Sequence, residues 1–250
     1  MKPSEEVRKL TMIERVHELE LLQRNVVACT RCPRLVRYRE KVAREKRRMY
    51  REETYWGKPL ESFGDPNAAL LILGLAPAAH GGNRTGRMFT GDRSGDFLYC
   101  ALYEAGFANQ PESRRRDDGL RLNGCYITAA LRCAPPANKP LPLELRNCQP
   151  YLEEELRLLP KVRAVLALGR IAFDAYLRLV YRGRTSHPSE PEALPPRSSL
   201  AFGHGVSYKL PGGLPRLFAS YHPSQQNTQT GKLTPAMMRS VFLDIHRFLG

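Results

Sequence analysis

Two sets of residues in this chain have types and spacings suited to chemistry. The first lies in residues 69–95, ALLILGLAPAAHGGNRTGRMFTGDRSG, where a short apolar run feeds a long Gly-rich loop carrying His80, Phe89 and Asp92. A loop that leaves the carboxyl end of a buried strand and feeds a helix N-terminus is where open α/β sheets bind ligands. Asp92 is the only acid in that loop, although an Asp just before a helix also has an ordinary use as its cap. The second set is the cysteines. Cys29 and Cys32 form a CxxC, and Cys133 and Cys148 form a wider pair with fourteen residues between them. Four thiolates from two separated segments can enclose a tetrahedral metal or an iron-sulfur cluster, and the wide gap suits a 4Fe-4S cluster better than zinc. Such a group would be structural, tying the N-terminal helix to the loop that holds Asn138. Cys100 and Cys125 fit ordinary helix and strand positions.

The elements that position these residues follow from hydrophobic period and punctuation. Residues 5–28 carry apolar side chains at helical spacing, and residues 37–53 follow with eight cations from Arg37 to Arg51 among tyrosines. That basic run reads equally well as a solvated helix face or as a track for phosphates. Continuous apolar runs at 68–75, 125–131, 164–168 and 216–221 predict doubly covered parallel strands. Helices are expected at 94–106, from 142 with a break or kink at Pro150, at 171–180, and from Thr234 to the end. Residues 109–119 read as a surface loop, and residues 181–205, rich in Pro, Ser and Gly, read as an insertion.

The predicted fold class is therefore α/β: a central four-stranded, mostly parallel sheet flanked by helices, in one domain over residues 1–250. The N-terminal helix and its cysteine staple (5–60) and the insertion (181–205) decorate it. With 39 Lys and Arg against 25 Asp and Glu, the net charge is +14 and the pI about 9.8. Such a field concentrates polyanions, nucleic acid first among them. Without a signal-peptide core or an apolar span of membrane length, the expectation is a cytoplasmic protein with reduced thiols and no membrane partner.

Four motifs together resemble one family. GLAPAAHG (74–81), GRMFTGDRSG (86–95), ITAALRCAPPANKP (127–140) and SYHPSQQNTQTG (220–231), with the four cysteines, look like the family 5 uracil-DNA glycosylases, also called type B. The resemblance implies the three-layer uracil-DNA-glycosylase fold, a 4Fe-4S cluster on Cys29, Cys32, Cys133 and Cys148, and a monomer acting on DNA that contains deaminated bases. It implies that Asp92 orients water or stabilises a cationic sugar, that His222 donates to the departing base, and that Asn138 takes a catalytic part. Phe89 would stack on the extruded base, with Gly74, Ala76, Ala78 and His80 lining its pocket. Arg84, Arg87, Ser224, Gln225, Gln226 and Asn227 would meet DNA. The related family 4 enzymes carry an acid after the opening Gly of the first motif and an Asn in the second strand, where this chain has Leu75-Ala76 and Thr128-Ala129. An apolar Ala129 cannot discriminate a pyrimidine edge, which loosens uracil specificity, and the family resemblance implies broader substrates: hypoxanthine beside uracil, with xanthine and ethenocytosine as further candidates. His187 repeats the His-Pro-Ser tripeptide of His222 without a preceding strand and is assigned to the surface. Two rivals are a non-enzymatic iron-sulfur nucleic-acid-binding protein, which leaves Asp92 and His222 without purpose, and a zinc-stapled hydrolase of free nucleotides, which has no need of the basic run.

Overall fold

A computed structural model describes residues 10–182 and 193–250; His187, the start of the predicted first helix and residues 183–192 of the predicted insertion lie outside them. Helix α1 (Met12–Val27) starts at a capping box between Thr11 and Glu14. After α2 (Pro33–Glu45) and a 3-10 turn (Arg48–Tyr50), the sheet begins with β1 (Phe63–Gly64) and β2 (Leu70–Gly74). The short α3 (Gly82–Thr85) and α4 (Arg93–Glu104) lead to β3 (Cys125–Ala129). A 3-10 turn (Pro136–Asn138), α5 (Pro142–Leu158), β4 (Ala164–Leu168) and α6 (Arg170–Tyr181) follow. The chain closes with β5 (Ser207–Tyr208), β6 (Arg216–Ser220), α7 (Gln225–Gln229) and α8 (Pro235–Leu249), the last capped by Thr234.

The four long strands stand where the apolar runs put them and pair in parallel. The sheet as a whole is mixed and six-stranded, in the order β1-β3-β2-β4-β6-β5, because β1 and β5 add antiparallel edges. This corrects the expectation of four strands: a two-residue edge strand exists only through its ladder and has no apolar run of its own. Side chains alternate between two cores, as the pleat requires. Leu70, Ile72, Ile127 and Leu166 face a core that holds Leu98, Leu102 and Phe242 of α4 and α8. Leu71, Leu73, Val165 and Leu217 face the other, with Leu19, Leu152 and Phe173 of α1, α5 and α6.

Helix α5 runs through Pro150 without a break. The carbonyl four residues back belongs to Arg146, and both residues lie on the exposed side of the helix, so the acceptor that loses its N–H is solvated rather than orphaned. Residues 193–205 are less loop-like than expected, since Leu194 and Leu200 are buried in the second core. No helix among the described residues is long and apolar enough to cross a membrane.

The chain leaves β2 toward β3 on one side and later enters β4 on the other. Strand order therefore reverses at β2, opening a crevice at the carboxyl ends of β2 and β4.

Candidate active site

The crevice is built from small backbone at the strand ends. Gly74 closes β2 and pairs with Ala129 of β3. Above it, the loop into α4 folds back and lays the Phe89 ring on Gly74, where a Cβ would come 2.8 Å from Phe89 Cζ. Phe89 adopts a left-handed backbone, with φ 51°. Its ring faces His222, which follows β6, with centroids 5.8 Å apart and planes 29° from parallel. On the other side of His222 lies Gly169, after β4: its φ is +93°, and a Cβ there would stand 3.3 Å from His222 Cβ. Loops after β2, β4 and β6 thus converge on one aromatic pair.

Asp92 is the N-cap of α4, its Oδ1 accepting from the Gly95 N–H at 3.0 Å. Its Oδ2 presses against Gly81, leaving no room for a Cβ. Burial pushes the Asp92 carboxyl up from its ordinary value, against the pull of the Gly95 and Ser94 N–H groups and the Arg84 charge. His222 goes the other way. Burial lowers it to about 4, so at neutral pH it is an uncharged imidazole with one N–H to give. Asn227 Nδ2 donates to the His222 carbonyl at 2.8 Å, and Ser224 caps the short α7 by accepting from the Asn227 N–H. Those two residues shape the loop, while Gln225 and Gln226 face solvent.

His80 pairs its Nδ1 with Tyr55 Oη at 3.0 Å; burial, then the charges of Arg47 and Arg84, lower its pKa. Ala78 turns the loop by accepting from the Gly81 and Asn83 N–H groups. Ala76 packs instead toward the cysteine cluster. Asn138 sits exposed on its 3-10 turn with φ 56°. Among the described residues its side chain is bonded to neither Asp92 nor His222.

Arg84 and Arg87, expected to meet DNA, are engaged within the protein. Arg84 donates to the His80 and Gly91 carbonyls at 2.8 Å each, pairs with Glu53, and lies 3.9 Å over the Tyr50 ring. Arg87 is 4% exposed and is taken up by Asp118, Ser113 and Thr90. Both guanidiniums are internal struts of the loop.

The metal expectation is also overturned. Cys29, Cys32, Cys133 and Cys148 pack into one small cluster with Val26, Leu35, Leu131 and Tyr151. Among the described residues, however, no group of three or more His, Cys, Asp or Glu could hold a metal ion. Arg39 Nη1 donates to Cys133 Sγ at 3.1 Å and Asn147 Nδ2 to Cys32 Sγ at 3.4 Å. Burial pushes Cys133 up to about 11 and Cys148 up to about 12. The 4Fe-4S cluster is accordingly withdrawn.

Sequence reasoning missed a buried polar chain behind the site. Glu155 of α5 binds Arg132 at 2.5 Å, Thr128 Oγ1 at 2.7 Å and Gln23 Nε2 at 2.9 Å, with Ser62 joining them. Its signal was present in the sequence: Glu155 occupies the same helical face as Cys148, Tyr151 and Leu152, where a carboxylate needs a partner.

The contact between Gly81 and Asp92 carries a direct test. Gly81→Ala should displace the carboxylate and reduce activity at this site at least tenfold, since a misplacement of about 1 Å costs up to ~100-fold. Circular dichroism should show the fold retained; unchanged kinetics would mean that Oδ2 has no positioned role.

Residues 61–246 match the uracil DNA glycosylase superfamily. Over 231 residues, covering 92% of this chain and 98% of its relative, the sequence is 52% identical to a type-5 uracil-DNA glycosylase of Thermus thermophilus. A type-5 uracil-DNA glycosylase of Mycobacterium bovis is 49% identical over 90% of this chain and 80% of its own length. A type-4 uracil-DNA glycosylase of Pyrobaculum aerophilum is only 30% identical, over 68% of this chain and 67% of its own. The chain belongs to the uracil DNA glycosylase superfamily and, within it, to the type-5 uracil-DNA glycosylases.

Proposed function

We propose that this chain is a DNA glycosylase that removes uracil and other deaminated bases from DNA by hydrolysing the N-glycosidic bond. The observation that carries this reading within the family is the Phe89 and His222 pair over Gly74, with the Asp92 carboxylate on the adjoining loop. An extruded nucleotide brings its base to the Phe89 face, where stacking holds any planar base.

Cleavage breaks the bond between C1′ and the base nitrogen. The electron pair leaves with the base, and positive charge develops on the sugar. The Asp92 carboxylate is suited to hold a water toward C1′ and to stabilise that charge. Water oxygen then bonds to C1′, and its proton goes to the departing base. The uncharged His222 donates its N–H to a base carbonyl oxygen, where negative charge grows; one such donor typically supplies about 3 kcal/mol. A neutral donor needs no proton uptake at physiological pH.

Asn138, exposed on the carboxyl edge, is free to reach the extruded nucleotide from the rim. Gln225 and Gln226 suit the DNA backbone. Buried Ala129 beside Gly74 offers no polar pair to a pyrimidine, which favours a site open to hypoxanthine as well as uracil.

The test is incubation with end-labelled duplex DNA carrying a single uracil or hypoxanthine, followed by alkali. Strand scission at the modified position is expected for both. No scission with either base, from folded protein, would sink the reading.

A further inference from the structure

The basic run of residues 37–51 divides into two parts in the structure. On α2, Arg39 turns inward to Cys133, and Lys41 pairs with Glu45 at 3.8 Å. Beyond α2 the chain makes the 3-10 turn Arg48–Tyr50, with Arg47 and Arg51 at its ends. All three arginines of this turn are exposed.

The turn is fastened to the catalytic loop. Tyr50 lies beneath the Arg84 guanidinium at 3.9 Å, Glu53 pairs with Arg84, and Tyr55 Oη meets His80 Nδ1 at 3.0 Å. Further along, the Trp56 and Gly57 N–H groups donate to the Arg84 and Asn83 carbonyls at 2.9 and 3.0 Å. A cationic turn is thereby held beside the pocket. Its charges are also free. Some exposed arginines elsewhere, such as Arg157, Arg182 and Arg239, pair with carboxylates, while Arg37 and Arg44 of α2, exposed like the turn, have none among the described residues. Among the described residues, Arg47, Arg48 and Arg51 have no carboxylate within 4.0 Å, whereas Glu53 of the same segment is drawn to Arg84. Unpaired guanidiniums close together repel one another, a cost that an incoming row of phosphates reverses.

We propose that this turn is a second DNA contact, in which Arg47, Arg48 and Arg51 bind backbone phosphates flanking the extruded nucleotide. The proposal rests on the glycosylase reading for its substrate. It assigns to this turn the phosphate role that Arg84 and Arg87, both internally bonded, do not fill.

The experiment measures binding to a duplex containing a tetrahydrofuran abasic analogue, as a function of salt. It compares wild type, the triple variant Arg47→Ser, Arg48→Ser, Arg51→Ser, and a control triple Arg121→Ser, Lys161→Ser, Lys209→Ser. The control removes the same charge from exposed positions next to the amino ends of the strands. Removing one cation from a phosphate makes the slope of log K against log salt shallower by about 0.9. The turn variant should therefore lose about two to three from the slope and bind more weakly, while the control keeps the wild-type slope. Equal slopes for the two variants, or a wild-type slope for the turn variant, would overturn the proposal. A melting midpoint equal to wild type excludes misfolding; should the triple variant melt early, Arg48→Ser alone, with an expected loss of about one, decides in its place. Wild-type protein that excises neither base sinks the glycosylase reading separately, because binding is read without turnover.

Discussion

Asp92→Asn should lower single-turnover excision of uracil by about 100- to 1,000-fold, the range for losing one preorganised electrostatic group, with little change in thermal stability. The substitution separates two uses of one side chain. Asp92 caps α4 through Oδ1, and Asn caps about as well as Asp, whereas Ala costs about 1 kcal/mol. Asp92→Ala should therefore be both inactive and slightly less stable, and Asp92→Asn inactive alone. The wild-type pH profile belongs to the same prediction. Because burial raises the Asp92 pKa, its carboxylate protonates at a higher pH than an ordinary Asp, and excision should fall with decreasing pH through that raised value. His222, at about 4, is uncharged at neutral pH. Residual activity of Asp92→Asn should lack the acidic limb. An Asn variant within tenfold of wild type would remove Asp92 from the chemistry and leave it only a cap.

The largest effect on stability is expected at Glu155. Its carboxylate and Arg132 are essentially inaccessible, with side-chain exposures of 0% and 2%, and Arg132 Nε already lacks a partner. Removing one member of a buried ion pair leaves an uncompensated charge and costs about 3–5 kcal/mol. Glu155→Ala also strips acceptors from Thr128, Ser62 and Gln23. Against a typical total of about 5–15 kcal/mol, denaturant unfolding should show a shift of at least about 3 kcal/mol. The double variant Arg132→Met, Glu155→Leu should recover much of it, because an apolar pair leaves no stranded charge. A loss below about 1 kcal/mol for Glu155→Ala would mean that water reaches the network. The chain of bonds ties α1, the segment before β1, β3 and α5 together, directly beneath the loop of Asn138.

Much of this architecture was legible along the chain. Each long parallel strand is an uninterrupted apolar run because both of its faces are covered. Helix α8 announced itself through Thr234, Pro235 and a stripe of Met238, Val241, Phe242 and Ile245. The two readings of Asp92, cap and reactive carboxylate, need not compete, because each concerns a different oxygen. The edge strands β1 and β5 were illegible for the opposite reason: two residues hold no period, and only neighbours make them strands. Pro150 did not end α5: the carbonyl that loses its N–H partner there is open to solvent.

The sequence by itself determined which segments are the four long parallel strands, which loops follow them, and hence that Phe89, Asp92 and His222 gather along one sheet edge. Local period and strand direction suffice for that. Only the tertiary structure decided what each polar side chain does there. Arg84 and Arg87 find their acids 31 residues away, in Glu53 and Asp118, and so become struts, while Arg47, Arg48 and Arg51 find none. The four cysteines come together, yet Cys133 Sγ meets Arg39 and Cys32 Sγ meets Asn147, and no metal-holding group is found among the described residues. Spacing along the chain specifies which groups approach one another; whether they end charged, bonded or free depends on partners that the fold brings from elsewhere.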